Sequence, residues 1–147
     1  MSCPYFYPLT PRIEGAGPQH AMLPLGDLWA GICRANAEQP WCPDDASLKL
    51  LCNLGYARGA CDRFPGTDGP DAVRFAIRED DGARLGIYYV LERDHHPSAH
   101  GPLEFSRTCG AFLGASPGGA VTRQALAYIE SYRRRKLEAL AGCAASE

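Results

Sequence analysis

Sulfur is the most chemically suggestive feature of this sequence. Seven cysteines occur in 147 residues, and four of them, Cys33, Cys42, Cys52 and Cys61, follow one another at intervals of nine, ten and nine. A thiolate ligand set needs several sulfurs converging on one point, each deprotonated by the metal it binds. Zinc usually draws on short chelating pairs, Cys-x(2–4)-Cys or the histidine equivalent, and no two cysteines here are that close. An iron–sulfur cluster also takes four thiolates, but it is several ångströms across and accepts ligands from separated elements. Two Cys-Pro steps, Cys3-Pro4 and Cys42-Pro43, echo a feature of ferredoxin ligand runs without their tight Cys-x2-Cys spacing.

The reading is therefore an iron–sulfur cluster, most simply 4Fe–4S, with zinc as the alternative. Cys33, Cys52 and Cys61 are the first three ligands, and Cys3 and Cys42 compete for the fourth place. Cys42 is nearer in sequence. Cys3 is favoured by the aromatic arm around it, and by Trp41 and Pro43, which suit Cys42 to a separate turn. In the loop between Cys52 and Cys61, Gly55 and Gly59 let backbone amides approach an anion, and Arg58 is the cation expected to offset its charge. Cys109 and Cys143 are left out. Against this stands plain packing, since free cysteine behaves as a small hydrophobe and is among the most buried residue types. The competing function is a non-catalytic protein-interaction module, metal-free or zinc-stabilised, whose cysteines are structural.

Other chemistry is thinly represented. His95, His96 and His100 cluster near Asp94 and Glu92, yet Pro97 and Gly101 break the helix that would align them, so a solvated loop is expected. There is no Gly-x-Ser-x-Gly elbow, phosphate-binding loop or dinucleotide glycine pattern. Ser116-Pro-Gly-Gly119 reads as a helix entry. Among the thiols only Cys42, just ahead of a helix start, suits redox reactivity. No catalysis is claimed.

These residues must be positioned by elements that the sequence sketches. Prolines and aromatics fill residues 1–24, giving an extended arm that carries Cys3 onto the core. Leu25, Leu28, Trp29, Ile32 and Cys33 fit one stripe of a helix from Asp27 to Glu38, ended by Pro40. A second helix begins at Pro43-Asp44-Asp45, turns Leu48, Leu51 and Cys52 to one face, and is capped by Gly55. Val73, Phe75 and Ile77, then Leu85, Ile87, Tyr89 and Leu91, alternate as two strands of a hairpin. A three-residue loop with Gly82 left-handed puts both apolar sets on one face by pairing 77 with 85 and 75 with 87. A short strand over Leu103–Phe105 and a long helix from Pro117 or Ala120 to Leu140 complete the chain.

The expected fold is α+β: a single domain over 1–147, with a cysteine-rich helical N-terminal lobe (1–65), then a small antiparallel hairpin-based sheet and a long C-terminal helix packed on it (66–147). Apolar content of 46% and charged content of 22% suit a packed core. A net charge of −2 gives no reason to expect nucleic acid, and the basic run Arg133–Lys136 is flanked by Glu130 and Glu138. No apolar run reaches the roughly 20 residues needed to span a bilayer, and the N-terminus lacks the pattern of a secretory signal. A cytoplasmic protein with a redox or protein partner, without nucleic acid or membrane, is the expectation.

Overall fold

The computed structural model describes residues 1–12, 23–114 and 116–145. Six strands and one long helix dominate. A two-stranded antiparallel sheet pairs β1 (Phe6–Arg12) with β2 (Leu28–Cys33), and a four-stranded antiparallel sheet follows chain order through β3 (Ala72–Asp80), β4 (Arg84–Arg93), β5 (His96–Ser106) and β6 (Ala111–Leu113). Between the sheets in sequence, α1 (Asp45–Ser47) runs directly into a π-helical turn, Leu48–Cys52. The chain ends in α2 (Gly119–Ala145).

This architecture corrects the expected helical N-terminal lobe. Within the segment read as a helix over 27–38, Leu28–Cys33 is strand β2 and 34–38 is irregular and turn, and the only helical structure among the described residues of the first half is the eight residues from Asp45 to Cys52. The reason is visible at Gly31. A Cβ built there would lie 2.1 Å from the Tyr7 carbonyl oxygen and 2.8 Å from Pro8 Cα, so the glycine admits the neighbouring strand at close range. It lies beside a register shift between Pro8 and Thr10. Glycine inside a strand marks such bulges and close approaches. Over six residues, LWAGIC satisfies a helical stripe and a buried strand equally well, and Gly31 was the cue against the helix.

The proline-rich arm includes strand β1, and Cys3 is carried into the core as expected; its stretch 13–22 lies outside the described residues. Asp44 caps the short helix by accepting from Ser47 N–H at 2.7 Å, and Gly55 takes the left-handed conformation expected after it. In the hairpin, Ile77 faces Ile87 and Phe75 faces Tyr89, two residues from the expected register: the tip closes with Asp80 opposite Leu85, and a bulge between Ile77 and Glu79 then shifts the pairing back by one. An even shift preserves the face, so the two apolar sets still share one side. Gly82 is left-handed, in a loop where Asp81 accepts from Ala83 and Arg84 N–H. The histidine segment expected to be a loop is strand. Asp94 and His95, both at positive φ, form a two-residue turn between β4 and β5.

Helix α2 joins the two sheets. Ala125 and Ile129 pack with Leu85, Ile87, Leu103 and Phe105 of the larger sheet, while Ala127 belongs to a second cluster with Phe6, Leu25 and Trp29. Leu137 and Leu140, read as part of its apolar stripe, are exposed. Polar ties reinforce both contacts. Trp29 Nε1 donates to Ser131 Oγ at 3.2 Å, and Arg134 pairs with the buried Asp27. Asp80, at the end of β3, accepts from Lys136 Nζ at 2.6 Å and from Tyr132 OH at 2.8 Å, and pairs with Arg107 at 3.2 Å. Among the described residues no helix is long and apolar enough to cross a membrane.

Two outcomes follow. Gly31→Ala, which forces backbone against backbone, is expected to destabilise the fold by about 2 kcal/mol or more. Gly86→Ala, whose new methyl meets Glu79 at ordinary contact distances of 3.5 to 3.9 Å, stays within about 1 kcal/mol; urea midpoints measure both. Lys136 and Tyr132 hold the Asp80 carboxyl well below the ordinary carboxylate range. A carboxyl depressed in the folded state contributes stability above its unfolded pKa of about 4 and loses it as pH falls through its folded value. Thermal midpoints measured from about pH 5 downward should therefore fall more steeply for the wild type than for Asp80→Asn.

Candidate metal centre

Four cysteine side chains from four separate pieces of chain line one cavity. Cys3 precedes β1, Cys33 ends β2, Cys52 ends the π-helical turn, and Cys61 lies in the following loop. The cavity is small, about 20 Å³, and its other walls include Tyr5, Phe6, Trp41, Leu51, Ala57 and Phe64. Cys3 and Cys52 form its buried side, at 9% and 8% exposure, while Cys33 and Cys61 are half-buried.

Each sulfur is placed by backbone hydrogen bonds. Cys3 N–H donates to the Cys52 carbonyl at 3.0 Å, joining the two buried positions directly. The fully buried Gln124 of α2 donates through Nε2 to the carbonyls of Cys3 and Phe6, both at 2.7 Å, and so fixes the turn that presents Cys3. Cys33 lies opposite Phe6 in the β1–β2 register and exchanges backbone hydrogen bonds with Trp41 at 2.7 and 3.1 Å. Asn53, also fully buried, treats β2 as a strand neighbour would: its Oδ1 accepts from Trp29 N–H at 3.1 Å and its Nδ2 donates to the Trp29 carbonyl at 3.0 Å. That pairing locks the end of the π turn, and hence Cys52, to the strand carrying Cys33. Cys61 is held by its N–H donating to the Ala57 carbonyl at 2.7 Å.

Cys42 takes no part. It is exposed, next to Trp41, whose ring faces the cavity. Successive side chains on extended backbone point to opposite sides, so a bridge that turns Trp41 inward sends Cys42 outward. Cys109 is likewise exposed, and the Cys143 side chain lies outside the described residues. Arg58 is engaged elsewhere: its Nε donates to Asp71 Oδ1 at 2.7 Å, and its other nitrogens donate to the carbonyls of Pro65, Thr67 and Gly69. The guanidinium that lines the cavity is Arg63, stacked on Trp41 at 4.3 Å from the ring centroid. Gln124, Asn53 and Arg63 carried no sequence signal beyond Arg63 standing two residues after Cys61. The histidines do not assemble: His95 stacks on Tyr56 at 4.1 Å, and His100 bonds to Tyr88 OH.

Electrostatically the cavity is a poor home for bare thiolates. Burial pushes the Cys3 thiol up to about 12; the charge Cys33 and Cys61 would carry raises it further, while hydrogen bonds from the Tyr5 and Phe6 amides oppose the shift. Cys52 is pushed up to about 12 by burial first, then by the charges of Cys3, Cys33 and Cys61. Among the described residues, no three His, Cys, Asp or Glu side chains are placed to hold a single metal ion. The sulfurs share a cavity without closing on a point.

Comparison with family models, with curated proteins and with solved structures finds no match to this chain. The thiol geometry makes its own prediction. At about pH 8 a thiol of pKa near 12 is thiolate to about one part in ten thousand, and the thiolate is the nucleophile. A short iodoacetamide pulse on the native, metal-free, reduced protein should label Cys42 and Cys109 first and leave Cys3 and Cys52 unlabelled, as read by peptide mass spectrometry. Equal labelling of Cys3 and Cys42 would contradict the buried arrangement.

Proposed function

We propose that the protein binds an iron–sulfur cluster through Cys3, Cys33, Cys52 and Cys61 and serves in electron transfer or redox sensing. The observation carrying this reading is that four cysteines far apart in sequence line one apolar cavity, while Cys42, the nearest rival, is exposed. Among the described residues no three His, Cys, Asp or Glu side chains are placed to hold a single ion, which disfavours zinc. A tetrahedral zinc with Zn–S bonds of about 2.3 Å needs its sulfurs about 3.8 Å apart, whereas a cluster is gripped by thiolates spread around its corners. The residues suit an anionic group: the walls are apolar, Arg63 is the one charged side chain on them, and no carboxylate lines them.

When bound, such a cluster supplies a one-electron couple. The protein's own part is to hold and tune it. Cys3 and Cys52 bury one side, which disfavours added negative charge, and Arg63 opposes that effect from the mouth. Half-exposed Cys33 and Cys61 leave an edge through which an electron or an oxidant reaches the site. Because Cys3 and Cys52 must surrender protons held near pKa 12, loading releases protons and strengthens as pH rises.

The test is anaerobic purification with iron and sulfide supplied. The expected product is brown and holds iron and acid-labile sulfide, about four of each per chain. Cys3→Ala and Cys52→Ala should lose most of both, while Cys42→Ala retains them. One zinc per chain without sulfide would select the zinc alternative. Colourless protein free of iron, sulfide and zinc would return these cysteines to core packing and favour the interaction-module reading.

A further inference from the structure

A second cavity shares a wall with the first. It measures about 190 Å³ and is lined by Cys33, Ala35, Asn36, Gln39, Trp41 and Arg63, four of which also line the thiol cavity. Its only charged wall residue is Arg63. Among the described residues this guanidinium makes no hydrogen bond or ion pair, and it stacks over the Trp41 ring at 4.3 Å from the centroid. Arg58, by contrast, is committed to Asp71 and three carbonyls, and Arg34, stacked on Tyr7, is not among the residues that line the groove. A cation–π contact holds a guanidinium in place without using its N–H donors, so the fork that matches carboxylate and phosphate oxygens stays available. Gln39 and Asn36 add amide groups at the rim, and no acidic residue lines the groove to compete for the guanidinium.

We propose that this groove is a binding site for a small oxyanion, a carboxylate or a phosphate, held by Arg63 on its Trp41 platform and resting against Cys33. It goes beyond cluster binding and does not require it, since Arg63 and Trp41 are placed by the fold. Its position gives it meaning, because the occupant sits on the wall it shares with the thiols.

The experiment is a titration of the purified full-length protein with sodium acetate and, separately, inorganic phosphate at constant ionic strength, following tryptophan fluorescence. Trp29 is fully buried, whereas Trp41 lies at the site, so a saturable change reports the groove. Saturation is expected in about the millimolar range for at least one anion, and which anion saturates identifies the source. Arg63→Gln, an exposed position whose loss leaves the fold intact by circular dichroism, should weaken binding about tenfold or more. Arg34→Gln, which removes a guanidinium stacked on Tyr7 and absent from the groove wall, should leave it unchanged. No saturation with either anion overturns the site, as does an Arg63→Gln titration that overlays the wild type, or equal weakening by Arg34→Gln. Iron and sulfide content, measured on the same preparation, reports the cluster independently.

Discussion

Gln124 carries the constraint on which the cysteine cavity depends. Its carboxamide is fully buried, donates to the carbonyls of Cys3 and Phe6, and accepts from the Ser2 hydroxyl at 2.5 Å. A buried amide without partners is costly, and so are buried carbonyls; here each satisfies the other across about 120 residues of chain. The N-terminal turn therefore has one low-energy position, against α2, and that position sets Cys3 beside Cys52. The Ser2–Val73 bridge ties the same turn to the larger sheet. The first six residues are held from two sides, and both sheets meet the long helix around them.

A second buried amide completes the frame. By pairing with both backbone groups of Trp29, Asn53 gives β2 the partner it lacks beyond β1 and pins the π-helical turn to that strand. The π geometry, closed by Asn53 N–H donating to the Leu48 carbonyl at 3.1 Å, tucks Leu48 and Cys52 inward together. Such turns recur at functional sites because they re-aim one side chain at the expense of regular hydrogen bonding. The re-aimed side chain here is a thiol facing three others.

The charge inventory separates the two arginines of this region. Arg58 closes the loop from Cys61 to Asp71 as a structural clasp, and Asp71 in turn accepts from Asp94 N–H at the β4–β5 turn. Arg63 has no such duty. No carboxylate lines either cavity, and Cys3 and Cys52, pushed up to about 12, keep their protons, so the Arg63 charge meets no opposite charge on those walls. That imbalance suits an anionic occupant, whether within the thiol cavity or on its outer wall.

Much of this was readable from residues alone, and the remainder was not, for identifiable reasons. The hairpin faces, left-handed Gly82, the Asp44 cap and the long C-terminal helix follow from alternation, turn chemistry and capping, which are local. The burial of Cys3 also follows from local logic, since an apolar arm must bury its aromatics and Cys3 travels with them. The helical lobe failed because LWAGIC is too short for its period to be unambiguous, and only the approach of Tyr7 and Pro8 to Gly31 decides for a strand. The hairpin register differs by two residues because the turn closes with Asp80 opposite Leu85, and neither that closure nor the one-residue bulge leaves a trace in an alternating pattern. The assignment of charge to Arg58 rather than Arg63 failed because both flank a cysteine, and only Asp71, brought in by β3, claims one of them. The sequence by itself thus determined how many sulfurs there are and which segments bury them. The convergence of Cys3, Cys33, Cys52 and Cys61 on one cavity was decided by tertiary structure alone, because it rests on two buried amides whose partners lie 24 and about 120 residues away.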